Sequence, residues 1–439
     1  MSVTVAPRRP GTVRRRAVRV LVAGALVAAV AGPAGTSHPG MSPVMLPLPG
    51  AGDASRAVGG GVSGGTPVPC DPDALIAAID QANADGGATL ALARRCVYSL
   101  AADAGNQFGL PVISQPITIA GNGATIERAA AAPAFGLFDV AFGGDLTVRD
   151  LTLTGGNNTD SPPQGGAISM ESGARVTVIH CALTHNRSAQ RGGAILNLDG
   201  VLRVTDSTLT DNSTGNLGGA IYSTADLTVE NSTLSGNSAA IGGAILNFGV
   251  ANLTNTTLRG NHATTEGGAI AAQLTSTSTT LDHSTVEGNT SATGGGIFSS
   301  VLVTLNQSTV SGNTASGDGG GILNEGTLVF VDSRITGNTA GGDGGGLRNT
   351  DVRANAIVRD SGVDANRATG AGSAAGGVAN SGGSLSLQGA QVTGNSSTTP
   401  PGGVSTDDPT VTVDSGTVIA ANRPTNCAGS PVAVPNCFG

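Results

Sequence analysis

The chain has 439 residues, of which 69 are Gly, 12% are charged and 2% are aromatic, and its formal net charge is −8 at pH 7. All 22 basic residues are Arg, and six of them lie within the first 19 positions, so the rest of the chain is acidic. This balance argues against a nucleic acid as partner, because counterion release requires clustered basic residues.

The first 31 residues have the pattern of a secretory signal peptide. A basic region at residues 8–19 precedes an apolar run of 12 residues at 20–31, which ends in the small residues Ala29-Val30-Ala31. The run is too short to span a bilayer as a helix, and an uncleaved anchor is the alternative. We therefore expect a secreted, extracellular or cell-surface protein with no membrane span in the mature chain.

The next two segments differ in composition. Residues 32–69 are rich in Pro, Gly, Ala and Ser, which predicts a linker. Residues 70–164 begin with a helix pattern and are predicted to form an N-terminal cap and the first coils. The helix pattern comprises an N-cap and N1 pair, three apolar residues on one helical face, and a terminating glycine pair: Asp71-Pro72, Leu75, Ile79 and Ala82, and Gly86-Gly87.

A motif of two glycines, a small residue and an aliphatic residue then recurs ten times, at intervals of 24 to 31 residues. The copies begin at Gly165, Gly192, Gly218, Gly242, Gly267, Gly294, Gly319, Gly344, Ala375 and Pro401. Each copy is followed by a Leu-x-Val type stretch and a Ser-Thr-Leu-x-x-Asn type signature. Three short alternating stretches per repeat predict three strands and three bends, with no room for a helix.

A unit of about 25 residues cannot bury its apolar residues alone, so the copies must stack and share one core. We predict an all-β fold: a parallel β-helix solenoid of about a dozen three-strand coils, with the repeats at residues 165–422. Each strand then pairs with its equivalent one coil on, at roughly 4.8 Å.

One asparagine per repeat occupies the bend after the third strand. Identical Asn side chains one coil apart can bond to one another and to the turn backbone, which predicts a structural ladder rather than a binding site. Its members are Asn186, Asn212, Asn237, Asn261, Asn289, Asn313, Asn338, Asn366, Asn395 and Asn422.

Five cysteines in an exported protein suggest disulfides. Cys70 and Cys96 bracket the predicted N-terminal cap, and Cys427 and Cys437 close a short C-terminal cap at residues 423–439. We predict both bonds, because each falls where an end of the solenoid must be covered. Cys181 is left over and is expected to face the core.

The repeat motifs resemble those of a known class. Gly-Gly-Ala-Ile occurs unchanged at the first five copies, and Leu209-Thr210-Asp211-Asn212 matches a Phe-x-x-Asn motif with an aliphatic residue in place of Phe. Over roughly residues 165–422 the chain resembles right-handed parallel β-helix proteins of the pectin-lyase-like class, above all polymorphic outer-membrane protein repeats. The resemblance implies a right-handed coil and a cell-surface adhesive protein (an adhesin), while the wider class includes pectate lyases and pectinesterases.

Two acidic residues are the best candidate for a metal site. Asp318 and Asp343 precede the Gly triplets of consecutive repeats, so they should stack about 5 Å apart. Carboxylates that close repel unless they are protonated or bridged by a cation, which predicts calcium as the ligand. The alternative is that Gly-Asp-Gly is turn chemistry in solvent. Arg348 and Arg353 lie nearby in sequence.

A candidate binding surface follows from strand alternation. The aliphatic residues of the glycine motifs, from Ile168 to Val404, form what we call the Ile column. If this column points inward, the next residue of each repeat points outward and forms an apolar stripe suited to an interaction. The alternative is that connecting segments such as residues 215–217 cover it. The residues of this predicted stripe are Leu196, Tyr222, Leu246, Phe298 and Leu323, with Ala271 between them.

These patterns predict a secreted or cell-surface scaffold that acts in binding or adhesion. Its partner is an unidentified extracellular or surface ligand, protein or polysaccharide, and no residue is assigned as catalytic. The alternative is a polysaccharide-active enzyme, pectate-lyase-like, with Asp and Arg on one face. The low aromatic content argues against a sugar-stacking groove, and no His is paired with a nucleophile.

Overall fold

The structure is a computed structural model that describes residues 64–159, 164–273 and 278–439. The predicted signal peptide and most of the predicted linker lie outside the described residues. The described residues form a parallel β-solenoid of about 13 turns with one short helix, as the period predicts. Three parallel sheets run through the coils, and each strand pairs with its equivalent in the neighbouring coil.

The wide sheet has 25 strands and contributes two strand segments to each coil. The repeats predict three strands per coil, and the three sheets match that number. The additional segment arises because a left-handed residue, such as Asp206 at φ 50°, kinks the chain between the two segments. The strands of the wide sheet are Thr66–Val68, Ala88–Leu92, Val97–Leu100, Pro116–Arg128, Asp145–Thr154, Arg175–Ile179, Ala182–Thr184, Val201–Thr205, Thr208–Thr210, Asp226–Glu230, Thr233–Ser235, Val250–Thr254, Thr257–Arg259, Ser278–Asp282, Thr285–Glu287, Leu302–Asn306, Thr309–Ser311, Thr327–Val331, Arg334–Thr336, Asn355–Arg359, Gly362–Asp364, Ser384–Gln388, Gln391–Thr393, Val411–Val413 and Val418–Ala420.

The narrow sheet follows the asparagine bend and has 10 strands, most of them two residues long. They are Asn157–Asn158, Arg187–Ser188, Ser213–Thr214, Ser238–Ile241, His262–Glu266, Thr290–Ser291, Thr314–Ala315, Thr339–Ala340, Arg367–Ala368 and Ser396–Ser397. The Ile sheet has 11 strands and follows the glycine motif. They are Phe138–Val140, Ile168–Met170, Ile195–Asn197, Ile221–Ser223, Ile245–Asn247, Ile270–Ala272, Ile297–Ser299, Ile322–Asn324, Leu347–Thr350, Val378–Ser381 and Val404–Thr406.

The N-terminal end is closed by the helix Pro72–Ala84. The Asp71 carboxylate caps it by accepting the Asp73 N–H at 3.0 Å, and Leu75, Ile79 and Ala82 are buried against the first coils. A disulfide joins Cys70 to Cys96, and a second joins Cys427 to Cys437 at the other end, as predicted.

The boundary of the predicted linker is wrong by a few residues. Thr66–Val68 forms the first strand of the wide sheet and pairs with Leu90–Leu92. Composition placed this segment in the linker because Pro67 and Pro69 are poor strand formers. At the edge of a sheet, however, a missing N–H can face away from the partner strand, so proline is tolerated there.

Backbone N–H groups at the bends of the wide sheet are satisfied by a serine ladder that sequence reasoning missed. The N–H of Ser207 donates to Ser232 Oγ at 3.0 Å, and Ser207 Oγ donates to the Thr205 carbonyl at 2.7 Å. The same pattern recurs at Ser284, Ser308 and Ser333. The signal was present as the Ser of the Ser-Thr-Leu signature.

Cys181 occupies a position in this ladder column and is buried. Its N–H donates to Ser207 Oγ at 3.0 Å, and burial raises the pKa of its thiol to about 11. The thiol is therefore protonated at neutral pH and inert in the native state.

We expect Cys181→Ser to change the free energy of unfolding at pH 7 by less than about 1 kcal/mol, because a serine hydroxyl fits this ladder. The thiol ionises more easily in the unfolded chain, so its contribution to stability is complete below about pH 8.5 and is lost as pH rises through about 11. Urea titrations of both proteins at pH 7 and pH 10 measure this. A wild-type protein that loses no more stability than the variant at pH 10 would contradict it.

Candidate functional site

The predicted apolar stripe is not a binding surface, because its residues are buried. Leu196 and Leu246 are 0% exposed, and Tyr222, Phe298 and Leu323 are 5 to 6% exposed. The prediction of an exposed stripe is therefore wrong, and the alternative of a stripe covered by connecting segments describes the structure.

The cover consists of the segments that connect the narrow sheet to the glycine motif. Leu217 and Ile241 from these segments pack against the stripe, and they form bridges to each other and to the adjacent coils. The Arg191 guanidinium lies 5.2 Å from the centre of the Tyr222 ring, a favourable cation–π distance. The outer side of the Ile sheet thus carries a second, smaller apolar cluster.

Charged residues occupy the same outward column near both ends of the Ile sheet. Asp139 pairs in register with Ser169 near the N-terminal end, and Arg348 pairs with Leu323 towards the C-terminal end. Burial, together with the nearby charge of Glu171, raises the pKa of the Asp139 carboxyl to about 6. Sequence reasoning missed Asp139, since its isolated strand lies before the first full repeat.

Arg348, Asp318 and Asp343 converge to form what we call the arginine latch. The Arg348 side chain is 17% exposed, and its guanidinium lies 3.8 Å from Asp318 Oδ2 and 3.4 Å from Asp343 Oδ2. The other oxygen of each aspartate accepts a backbone N–H of the next coil at 2.8 Å, from Asp343 and Ala374 respectively. Each carboxylate thus ties two coils together, and the single positive charge of Arg348 lies against both.

The arginine latch contains the two aspartates of the predicted calcium site. The structure places a guanidinium against both carboxylates, where the sequence interpretation placed a metal ion. Calcium binds six to eight oxygen ligands, whereas one oxygen of each of the two aspartates already accepts a hydrogen bond from a backbone N–H. Within residues 64–159, 164–273 and 278–439, no group of three or more His, Cys, Asp or Glu side chains is arranged to hold a metal ion. Arg353 takes no part in the latch.

The asparagine column is buried along its whole length, and no member is more than 6% exposed. In the middle of the column, Asn313 Nδ2 donates to Asn338 Oδ1 and to the Val286 carbonyl, both at 2.9 Å. Its Oδ1 accepts the backbone N–H and the Nδ2 of Asn289. These amides have no capacity left for an external ligand.

An open groove of about 640 Å³ lies on the solvent side of the wide sheet, at the corner before the asparagine ladder. Gly236, Gly260, Gly288 and Gly312 form its floor, and Ser235, Arg259, Glu287 and Ser311 line its side; we call it the glycine trough. All four glycines adopt φ near +60° to +65°. The trough exists because the same corner carries side chains in earlier coils, at His185 and Asp211, and none here.

Charge in the trough is balanced. Arg259 and Glu287 are exposed and stand in register on adjacent strands. Because both side chains are exposed, both can reach a ligand. The trough therefore offers donors and acceptors without a net charge.

Comparison with known proteins identifies the repeat type. The model for a "Right handed beta helix region" matches residues 140–291, and the model for the Chlamydia polymorphic membrane protein repeat matches residues 307–325. No curated protein matches the chain significantly. The described part of the chain contains no helix long and apolar enough to cross a membrane.

Two solved structures are similar in fold. The A-module of mannuronan C-5 epimerase AlgE6 from Azotobacter vinelandii is 18% identical with a TM-score of 0.48, and the match covers 80% of this chain and 96% of that one. Tailspike protein 3 of bacteriophage CBA120 is 12% identical with a TM-score of 0.38, covering 82% of this chain and 59% of that one. The coils thus form a right-handed parallel β-helix, and residues 307–325 match a repeat of the polymorphic membrane protein type.

Proposed function

We propose that this protein is a secreted or cell-surface scaffold that binds a surface polysaccharide along the glycine trough. The observation that supports the proposal is the trough itself: an open groove that extends over four coils, with balanced charge and with the exposed polar side chains of Arg259 and Glu287. The two disulfides favour an oxidising, extracellular location.

The geometry of the trough suits an extended polymer. Its floor positions repeat once per coil, at about 4.8 Å, so a ligand that runs along the corner meets similar polar contacts at each step. Gly260, Gly288 and Gly312 leave backbone and open space where other coils have side chains, which allows close approach.

The absence of aromatic side chains in the trough determines how the ligand is held. Sugar rings commonly stack on aromatic platforms, whereas here only hydrogen bonds from residues such as Ser235 and Arg259 are available. Each contact is weak, so affinity accumulates over several coils by multivalency. We therefore infer a polymeric ligand, and a neutral one because the trough has no net charge.

We expect the double variant Gly260→Asn/Gly288→Asn to bind polysaccharide at least tenfold more weakly, because its side chains fill the trough. Asparagine tolerates the left-handed conformation, and a Cβ at either position meets no atom within 4 Å, so folding is preserved. Affinity electrophoresis of the full chain through gels containing dextran, galactomannan, polygalacturonate or alginate measures the effect.

Gly337→Asn is the matched control. Gly337 lies in the same corner column with φ +65° and open space around its Cβ, but it does not line the trough. It should bind as the wild type does. Equal retardation of all three proteins, or no retardation in any neutral gel, would rule out the trough as the binding site.

A polysaccharide-active enzyme is the second candidate, because the latch brings Asp318, Asp343 and Arg348 together. One oxygen of each aspartate accepts a backbone N–H, and the other lies 3.4 or 3.8 Å from Arg348, so both carboxylates take part in contacts between coils. This arrangement favours a structural role. Incubation with polygalacturonate and Ca²⁺, followed by absorbance of unsaturated products, tests for lyase activity, and product formed by wild type but not by Asp318→Asn would support the enzyme.

A further inference from the structure

A second cavity, of about 500 Å³, lies on the same face as the glycine trough, further towards the C-terminus. We call it the notch. Its principal lining residues are Arg334, Asp360, Gly362, Asp364, Gly389 and Gln391. Neither the repeat motifs nor the matching family models assign a role to these residues.

The notch arises from a break in a side-chain column. The first residues of the second strand segments stack in register, and they run Thr285, Thr309, Arg334, Gly362 and Gln391. A threonine column thus gives way to an arginine and then to a glycine. The missing side chain at Gly362 opens the space beside Arg334.

The Arg334 side chain is fixed in place. Its Nε and one terminal nitrogen donate to the two oxygens of Asp364 at 2.7 and 2.8 Å, and Thr336 Oγ1 donates to the same carboxylate at 2.8 Å. Asp364 is 17% exposed, whereas Arg334 is 61% exposed. Bidentate pairing uses only part of the guanidinium, so its remaining N–H groups are held ready for a ligand.

Asp360 provides an acceptor in the same notch. It sits at a left-handed corner, φ 48°, and its side chain is exposed with no hydrogen bond or ion pair in the described structure. With Asp364 neutralised by Arg334, the lining retains one uncompensated negative charge, that of Asp360. An anionic ligand is therefore repelled.

We propose that the notch binds one neutral sugar residue through adjacent hydroxyl groups, which accept from Arg334 and donate to Asp360. Donor and acceptor at one site match the two capacities of a hydroxyl group. The proposal rests on the proposed function in that the sugar belongs to the polysaccharide in the trough. The notch, with its uncompensated negative charge, then excludes uronates more strictly than the trough, which has no net charge.

The Arg334 side chain supplies the readout. Its Nε–H is held by Asp364, so its ¹H–¹⁵N cross-peak in the full chain reports on the notch directly. We expect saturable shifts on titration with methyl glycosides of glucose, mannose or galactose, and none with methyl glucuronide. Gly362→Thr restores the threonine column and should weaken the neutral response at least tenfold.

Asp360→Asn provides a variant with little risk to the fold, since Asn231 and Asn255 occupy the same left-handed column. It should weaken the response about fivefold, whereas Asp332→Asn, one coil away and outside the notch, should leave it unchanged.

The proposal for the notch and the proposal for the trough can be contradicted independently of each other. Gly260→Asn/Gly288→Asn should retain the small-sugar response at Arg334 while it loses retardation by polymer. A shift that is absent with every neutral glycoside, a stronger shift with the uronide, or a response unaffected by Gly362→Thr overturns the notch. None of these outcomes depends on polymer retention in gels.

Discussion

Asn313→Ala should lower the free energy of unfolding by about 4 kcal/mol, since several buried hydrogen bonds are lost at one site. Removal of the side chain leaves the backbone N–H and the Nδ2 of Asn289 without their acceptor. It also removes the Nδ2 donor to the Val286 carbonyl and one of the two donors to Asn338 Oδ1, which still accepts the backbone N–H of residue 313. Urea titration followed by circular dichroism measures the change.

Asn324→Ser is the matched control, from a second column of mostly Asn and Ser at the third position of the Ile-sheet strands, which includes Asn197, Asn247 and Asn349. In that column Ser223 and Ser299 already occupy equivalent positions, and Ser299 Oγ bonds to its own turn at Val301. We expect this change to cost less than about 1.5 kcal/mol. Similar losses for both variants would mean that the main ladder has no special role in stability.

The fold was predictable because the residues that specify it recur in every repeat. A 25-residue unit cannot bury its apolar face alone, so one repeat implies the next, and the Ile column then sets which way each strand faces. The asparagine positions follow from the same register. The N-terminal and C-terminal caps could also be located, because the four disulfide cysteines and the Asp71-Pro72 pair lie before or after the repeats.

The surface was less predictable because it depends on segments that vary between repeats. Strand alternation correctly placed Leu196 and Tyr222 on the outer side of the Ile sheet, but it could not show that Leu217 and Ile241 fold over them. The connecting segments differ in length and sequence, so they carry no period. The burial of Leu196 and Tyr222 therefore depends on tertiary contacts and not on the local strand pattern.

The trough and the notch were hidden for a related reason. Gly260 and Gly288 are bend residues with positive φ, and that alone is enough to account for a glycine at each position. Their second effect, the absence of four neighbouring side chains along one corner, appears only when the coils are stacked. Gly362 shows the same effect in a strand, where φ is ordinary and no bend signal marks it.

Arg348→Met should lower the free energy of unfolding by about 2 kcal/mol, because the Arg348 side chain is 17% exposed, whereas the two carboxylates, 39% and 36% exposed, keep part of their solvation. Methionine fills a similar volume, so the loss reports charge rather than packing. Asp318 and Asp343 then face each other without a counter-charge while each still binds the next coil. The same urea titration applies, and Arg353→Ala, an exposed residue on the following turn, should cost less than about 0.5 kcal/mol.

Calcium distinguishes the latch from the metal site that the sequence predicts. In wild type the Arg348 guanidinium lies against both carboxylates and offsets one of their two negative charges, so millimolar Ca²⁺ should leave stability nearly unchanged. In Arg348→Met the paired aspartates lack a counter-charge, and Ca²⁺ should restore part of the lost stability by binding the folded state. If Ca²⁺ instead stabilises wild type and Arg348→Met is as stable as Arg353→Ala, the guanidinium is incidental and the two aspartates form a metal site.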